Sequence, residues 1–283
     1  MKNRFFTKEL LVCLLCSLIV VTGCCFQIGC GLPPEKYERK VELSADMNPG
    51  GRFETKTVNG AITACGVNAG KCEIVATIVV RAETVEEAKE KAEAIEIKLE
   101  ASGDKLRTVI EKPDNIKRKH FSVAYDVKVP VETSLEIGTV NGRIKITNIA
   151  GNINASAVNG NLLAESISGD ARVSTVNGRI SCSKISSPKL QAKTVNGRVS
   201  VSYLNNAANV GYIDIATTNG SIKLHTPAEF SAKVRARTVN GKISSDIPIT
   251  VKGTISRKGL KGTIGSGEGT LNLNTVNGSI KIK

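Results

Sequence analysis

Thr139-Val140-Asn141-Gly142 is one of eight related tetrapeptides. The core of each, Val-Asn-Gly or Thr-Asn-Gly, returns at Val58-Asn59-Gly60, Val158-Asn159-Gly160, Val176-Asn177-Gly178, Val195-Asn196-Gly197, Thr218-Asn219-Gly220, Val239-Asn240-Gly241 and Val276-Asn277-Gly278. Between Gly142 and Gly178 the copies are eighteen residues apart. A fixed period of this kind is the signature of a repeat architecture. A nine-residue period sits inside it: Gly142, Gly151, Gly160, Gly169 and Gly178 follow it, as do Ile144, Ile153, Leu162, Ala171 and Ile180, and likewise Ile149, Val158, Ile167, Val176 and Ile185. Two apolar residues two apart read as a strand with one buried face. The third precedes a Gly, which tolerates φ > 0, so each unit reads as a short strand and a tight turn.

Two assemblies fit this pattern. Asn-Gly between alternating apolar residues is a strong hairpin signal and gives an antiparallel meander. A meander, however, has no reason to repeat its side chains at one period. A coil of two nonapeptides does, because each strand then stacks on its equivalent one turn later. The preferred fold class is therefore all-β: a parallel β-solenoid, or right-handed β-helix, with one inserted amphipathic helix near the N-terminus. About eight coils at about 4.8 Å each make a rod of about 40 Å with long flat faces.

The 283 residues are 41% hydrophobic, 4% aromatic and free of Trp, with a formal net charge of +13. Ile, Val, Leu and Ala suit narrow coils, and few rings remain to stack on bases. Lys2, Arg4 and Lys8 precede an apolar run from Leu10 to Val21 that ends in Val21-Thr22-Gly23-Cys24. This is similar to a bacterial lipoprotein signal and implies lipidation of Cys24, by palmitate among other chains, with residues 1–23 removed. The expected location is the cell envelope, on the outer membrane or a periplasmic face. Export implies an oxidising compartment, where Cys65 and Cys72 are close enough in sequence to pair, as are Cys25 and Cys30. Cys182 falls on a repeating apolar position and reads as a small buried hydrophobe.

Residues 24–49, with Pro33-Pro34 and mixed charges, read as a tether, although Val41-Glu42-Leu43 could begin a strand. Residues 50–130 form an N-terminal β segment interrupted by a helix over 84–100, opened by Thr84 and Glu87 in a capping-box pattern. Val85, Ala88, Ala92, Ile95 and Leu99 make its apolar stripe. Leu106 to Glu111 and His120 to Val129 read as further strands. The repeat solenoid occupies 131–283. Its final repeat, ending at Ile280 and Ile282, shows no separate cap, which leaves an end open to pairing with another molecule.

The Thr-Val-Asn-Gly corners, the strand-helix-strand insert and Val127-Lys128-Val129-Pro130 before the repeats resemble the bacterial β-strand-repeat family whose members are called putative adhesins. The resemblance covers Val41 to Lys283. It implies a surface-exposed or periplasmic right-handed β-solenoid with an adhesion-like role, and it carries no catalytic residues.

An enzyme of the polysaccharide-lyase type needs carboxylates clustered on one face to hold calcium. Here Glu165 is flanked eighteen residues either side by Thr147 and Ser183, and Asp170 by Asn152 and Pro188. No calcium-roll Asp, Gly-x-Ser-x-Gly elbow or Cys/His zinc spacing is present, so no catalytic residue, metal or cofactor is expected. Positive charge does recur: Arg143, Arg179, Arg198 and Lys242 each follow a corner glycine and form a candidate anion-binding stripe. The reading preferred for the same residues is solvated charge that discourages edge pairing. The expected partners are the membrane, through the lipid anchor, and an anionic glycan or an envelope protein; nucleic acid is not expected. The function read from this is a non-enzymatic adhesion or scaffold module. A polysaccharide-binding or -degrading β-helix protein and an envelope-stress lipoprotein are the alternatives.

Overall fold

The structure is a computed structural model and describes residues 35–117, 120–251 and 258–283. In chain order the elements are β1 (Glu35–Asp46), β2 (Arg52–Asn59), β3 (Ile62–Val67), β4 (Lys71–Ala82), α1 (Val85–Glu93), β5 (Glu96–Ser102), β6 (Lys105–Glu111) and β7 (Phe121–Pro130). The repeats follow as β8 (Ser134–Asn141), β9 (Ile144–Ile149), β10 (Ile153–Asn159), β11 (Leu162–Ile167), β12 (Ala171–Asn177), β13 (Ile180–Ile185), β14 (Lys189–Asn196), β15 (Val199–Tyr203), β16 (Tyr212–Asn219) and β17 (Ile222–His225). The last five are β18 (Ala232–Arg237), β19 (Ile243–Ser245), β20 (Gly259–Ile264), β21 (Gly269–Asn277) and β22 (Ile280–Ile282).

These strands form two 11-stranded sheets facing each other across one core. One runs β1-β4-β7-β3-β9-β11-β13-β15-β17-β22-β19, and the other β20-β18-β21-β16-β14-β12-β10-β8-β2-β6-β5. Each coil gives one strand to each sheet. Coils stack in parallel register, with Ile153 beside Leu135 on one side and Ala171 on the other, and Leu162 likewise between Ile144 and Ile180. The meander is excluded, because antiparallel pairing is confined to β1, β4 and β5 at one end and β20 at the other. The molecule is an all-β, solenoid-like repeat without a closed barrel. Alternate residues point inward, and Ile144, Ile146, Leu162, Ile180, Val199 and Ile213 are among those with no exposed surface.

Several boundaries differ from the sequence reading. Residues 35–46 are not tether but a twelve-residue strand paired along its whole length to β4, with Val41 and Leu43 buried. Their mixed charges are simply the outward half of an alternating strand. The helix is Val85–Glu93 rather than 84–100. Thr84 does cap it, accepting from the Glu87 amide at 3.2 Å, and Ala88 and Ala92 are its buried face. The Arg39 guanidinium closes its far end, donating to the carbonyls of Ala92 at 3.0 Å and Ile95 at 3.1 Å. Beyond it Ile97 and Leu99 are buried two apart, so Leu99 belongs to β5 and not to a helical stripe.

The division at 130/131 does not separate two bodies. β2 and β3 are themselves a coil, stacked on β8 and β9 with Asn59 beside Asn141 and Ile62 beside Ile144. β6 and β7 stack on the opposite side of that coil. The expected open end is also corrected. β21 and β22, last in sequence, lie between β16–β17 and β18–β19. The outermost coil is β18–β19, and β20 folds back antiparallel along β18 to cover its edge in one sheet.

The residues proposed to carry the lipid signal, Cys24 included, lie outside the described residues, as do Cys25 and Cys30.

Candidate functional site

The most regular feature is the edge where each coil passes from one sheet to the other through Asn-Gly. The asparagines form a continuous ladder. Each side-chain amide donates to the next carbonyl oxygen: Asn141 to Asn59, Asn159 to Asn141 and Asn177 to Asn159 at 2.9 Å, then Asn196 to Asn177, Asn219 to Asn196, Asn277 to Asn219 and Asn240 to Asn277 at 2.8 Å. Inside the ladder runs a column of threonines. Thr139, Thr175, Thr194, Thr217, Thr275 and Thr238 each donate to the corner-glycine carbonyl of an adjacent coil, at 2.8–3.1 Å. Outside it stand Val140, Val158, Val176, Val195, Val276 and Val239, all between 38% and 49% exposed.

The corner glycines serve a purpose the sequence reading did not assign. Gly142, Gly160, Gly178, Gly197 and Gly220 have no left-handed φ. A Cβ at Gly160 would instead lie 1.7 Å from the Gly142 carbonyl oxygen, and at Gly178 2.0 Å from that of Gly160. Stacked backbones meet here, and no side chain fits between them. The left-handed residues sit at the opposite corner: Asn148, Ser166 and Lys184, with φ of 57°, 56° and 53°. Each turns the following residue inward, so Ile149, Ile167 and Ile185 are buried while Val158 and Val176 are not. The two halves of a coil are therefore not equivalent, despite the nine-residue period.

Arg143, Arg179, Arg198 and Lys242 occupy one column beside the ladder, all exposed. Backbone bonds fix its order as Arg143, Asn161, Arg179, Arg198, Ser221, Ser279, Lys242. Arg179 and Arg198 are neighbours, whereas two serines isolate Lys242. Arg198 Nε donates to Ser221 Oγ at 3.0 Å, and none of the four has an acidic partner among the described residues.

Carboxylates do meet in register among the described residues, at Glu54 and Glu136 and again at Glu96 and Glu111, which share Lys98. Glu54 and Glu136 are register partners on the outer face, bridged by Lys56 at 2.7 and 3.0 Å, with Lys105 also on Glu54. Lys105 and then Lys56 hold the Glu54 carboxyl at about 2, well below its ordinary range. The pair is therefore neutralised by lysines rather than left to bind a cation. No cluster of three or more His, Cys, Asp or Glu able to hold a metal occurs among the described residues. Glu165 stands between Thr147 and Ser183, as its spacing requires, and pairs with Lys184 at 2.8 Å.

Cys65 and Cys72 do not pair. β7 lies between their strands, setting Cys65 level with Lys128 and Lys128 level with Glu73. Two strand spacings are about 9.6 Å, beyond the reach of a disulfide. Cys72 also faces inward while Cys65 is half-exposed, and both are free thiols. Burial, with the adjacent Glu73 charge, pushes the Cys72 thiol up to about 12, and burial alone does the same to Cys182. Cys182 is the buried hydrophobe its position implied, and neither group is a ready nucleophile.

A double sheet of stacked two-strand coils, with a laddered edge and paired outer charges, defines an all-β, solenoid-like repeat domain. Residues 126–283, more than half of the chain, match the Toastrack DUF4097 family, and the chain belongs to it. No curated protein matches the chain. Solved structures it is similar to include a putative cell adhesion protein from Clostridium sporogenes, at 13% identity and a TM-score of 0.36, covering 87% of this chain and 99% of the other. A putative adhesin from Bacteroides fragilis shares 11% identity at a TM-score of 0.38, covering 87% and 97%. Another from Parabacteroides distasonis shares 10% at 0.29, covering 88% and 98%.

Proposed function

We propose that this chain is a lipid-anchored protein of the cell envelope, acting as a non-enzymatic adhesion or scaffold module. One observation carries the reading: in-register stacking from Asn59 to Asn240 sets the corner asparagines, and the exposed valines beside most of them, in continuous outward columns. Such columns suit many weak contacts with an extended partner better than one strong contact with a small molecule. The coil is taken to be right-handed, the sense parallel crossovers adopt. The anchor is Cys24, supported by the basic start, apolar run and Val-Thr-Gly-Cys end of the leader. The outer membrane or a periplasmic face is the proposed location.

Two measurements test this. Cys24→Ser is expected to move the protein from the membrane to the soluble fraction, and unchanged fractionation refutes the anchor. Immobilised full-length protein is expected to retain intact cells or envelope fragments and to release no reducing ends from acidic glycans supplied with calcium. Such release would assign the polysaccharide-degrading alternative instead.

A further inference from the structure

The two ends of the second sheet treat charge differently. At the β5–β6–β2 end all the cations but Arg52 are matched: Lys105 and Lys56 on Glu54, Lys56 on Glu136, Arg107 on Glu100 and Lys98 on Glu111. At the β18–β20 end they are not. Burial of Ala232, Val234 and Ala236 fixes the alternation of β18, so that Lys233, Arg235 and Arg237 point out. Register places Lys261 of β20 directly opposite Arg235. Like charges directly across a ladder are destabilising, yet none of these four side chains forms an ion pair with an acidic group among the described residues. Of the carboxylates on adjoining segments, Asp214 is held by Lys193 at 2.9 Å, and Glu268 forms no ion pair among the described residues.

The surroundings of the four cations are polar and shaped. On the β21 side Lys233, Arg235 and Arg237 face Thr270, Asn272 and Asn274. Lys233, Arg235, Lys261, Thr250, Thr263 and Asn272 line a depression of about 500 Å³. Gly262 lets the 249–251 segment close one side of it, since a Cβ there would meet Ile249 Cγ2 at 2.6 Å and the Thr250 carbonyl oxygen at 2.8 Å. The four cations span about 13 Å along β18 and one strand spacing, about 5 Å, across to β20.

We propose that this face of β18 and β20 is a binding site for an acidic polysaccharide. Repeated anionic groups on the polymer supply the charge that Lys233, Arg235, Arg237 and Lys261 lack. Its hydroxyls suit the threonine and asparagine side chains alongside. An anionic bilayer would be entered by apolar side chains, and among the described residues no large, exposed one is on this face: Val239 and Val276 belong to the Asn-Gly edge. The site rests on the adhesive reading above, and gives it a ligand class and a position.

The test uses the full-length protein with polygalacturonate and heparin as soluble probes and phosphatidylglycerol vesicles as the membrane arm. The triple variant Lys233→Gln, Arg235→Gln, Lys261→Gln is expected to lose about tenfold or more in affinity for both glycans and to bind with a shallower salt dependence. The triple variant Arg143→Gln, Arg179→Gln, Arg198→Gln is expected to stay within about twofold of the parent protein. All six positions are exposed, and thermal melting no lower than the parent's confirms intact folds. Unaltered glycan binding by the first variant, an equal loss in the second, or parent protein that binds vesicles but neither glycan overturns the site. If the first variant retains cells as well as the parent while both bind glycan alike, only the site fails. If the parent retains no cells or envelope, the adhesive reading fails with it.

Discussion

Each coil turns twice, and the two corners solve the same steric problem in opposite ways. At the Asn-Gly corner the backbones of successive coils come so close that only hydrogen fits between them, as at Gly160 against Gly142. From Gly142 to Gly220 no residue of this corner takes a positive φ, although Gly60 does at 146°, and the valine that precedes the Asn stays outside. At the other corner a non-glycine residue takes the left-handed conformation, as Ser166 does at φ 56°, and the next residue is swung into the core. One corner is limited by packing between coils, the other by the backbone of a single residue. Substitutions should separate these two limits.

The largest effect belongs to the packed corner. Gly160→Ala puts a methyl group 1.7 Å from the Gly142 carbonyl oxygen, so the stack must part locally, and a loss of more than about 3 kcal/mol in urea unfolding is expected. Next, Ile167→Ala empties a site with no exposed surface and should cost about 3 kcal/mol, against less than about 1 kcal/mol for its period-equivalent Val176→Ala. Equal losses would mean that the corners are alike after all. Asn159→Ala removes one ladder bond given and one received, both exposed, for about 1 kcal/mol each way of counting partners left to water.

A control touching neither corner is Glu54→Gln. The Glu54 carboxyl is depressed from 4.5 to about 2 in the folded protein. Its contribution is therefore complete above the unfolded value and fades as pH falls from about 4.5 to about 2. The variant should lose about 1 kcal/mol at neutral pH, discounted for its half-exposed lysines, and show a flatter acid limb in stability against pH. The smallest change is Ser166→Gly, which relieves the left-handed strain but loosens the unfolded chain, for a net gain of about 0.5 kcal/mol by thermal melting.

Much of this was legible in the residues. The period placed Ile144, Leu162 and Ile180 in one buried column, and the shared corner motif made parallel stacking preferable to a meander. The order of coils was not legible, because every repeat carries the same corner and any could sit beside any other; Lys242 precedes Ser279 in sequence yet lies beyond it in the stack. Glu54 and Glu136 were missed as neighbours because the insert separates their coils in sequence. β6 and β7 lack the Val-Asn-Gly signature, so nothing marked them as part of the stack. Ile95 and Leu99 fit a helical stripe and Ile97 and Leu99 fit a strand; only the partner β6 decides between them. The unpaired cations of β18 and β20 became visible as a group only once register brought Lys261 across from Arg235.

The placement of β21 and β22 between two earlier coils bears on how the molecule is made. As the chain leaves the ribosome, β16–β17 and later β18–β19 emerge with a rung missing between them, and that rung is completed by β21 and β22, made after both. Assembly therefore cannot advance like a zipper from first coil to last. The outermost coil has nothing to rest on until the final segment slides beneath it, so the farthest part of the stack is the part that must wait longest to become solid.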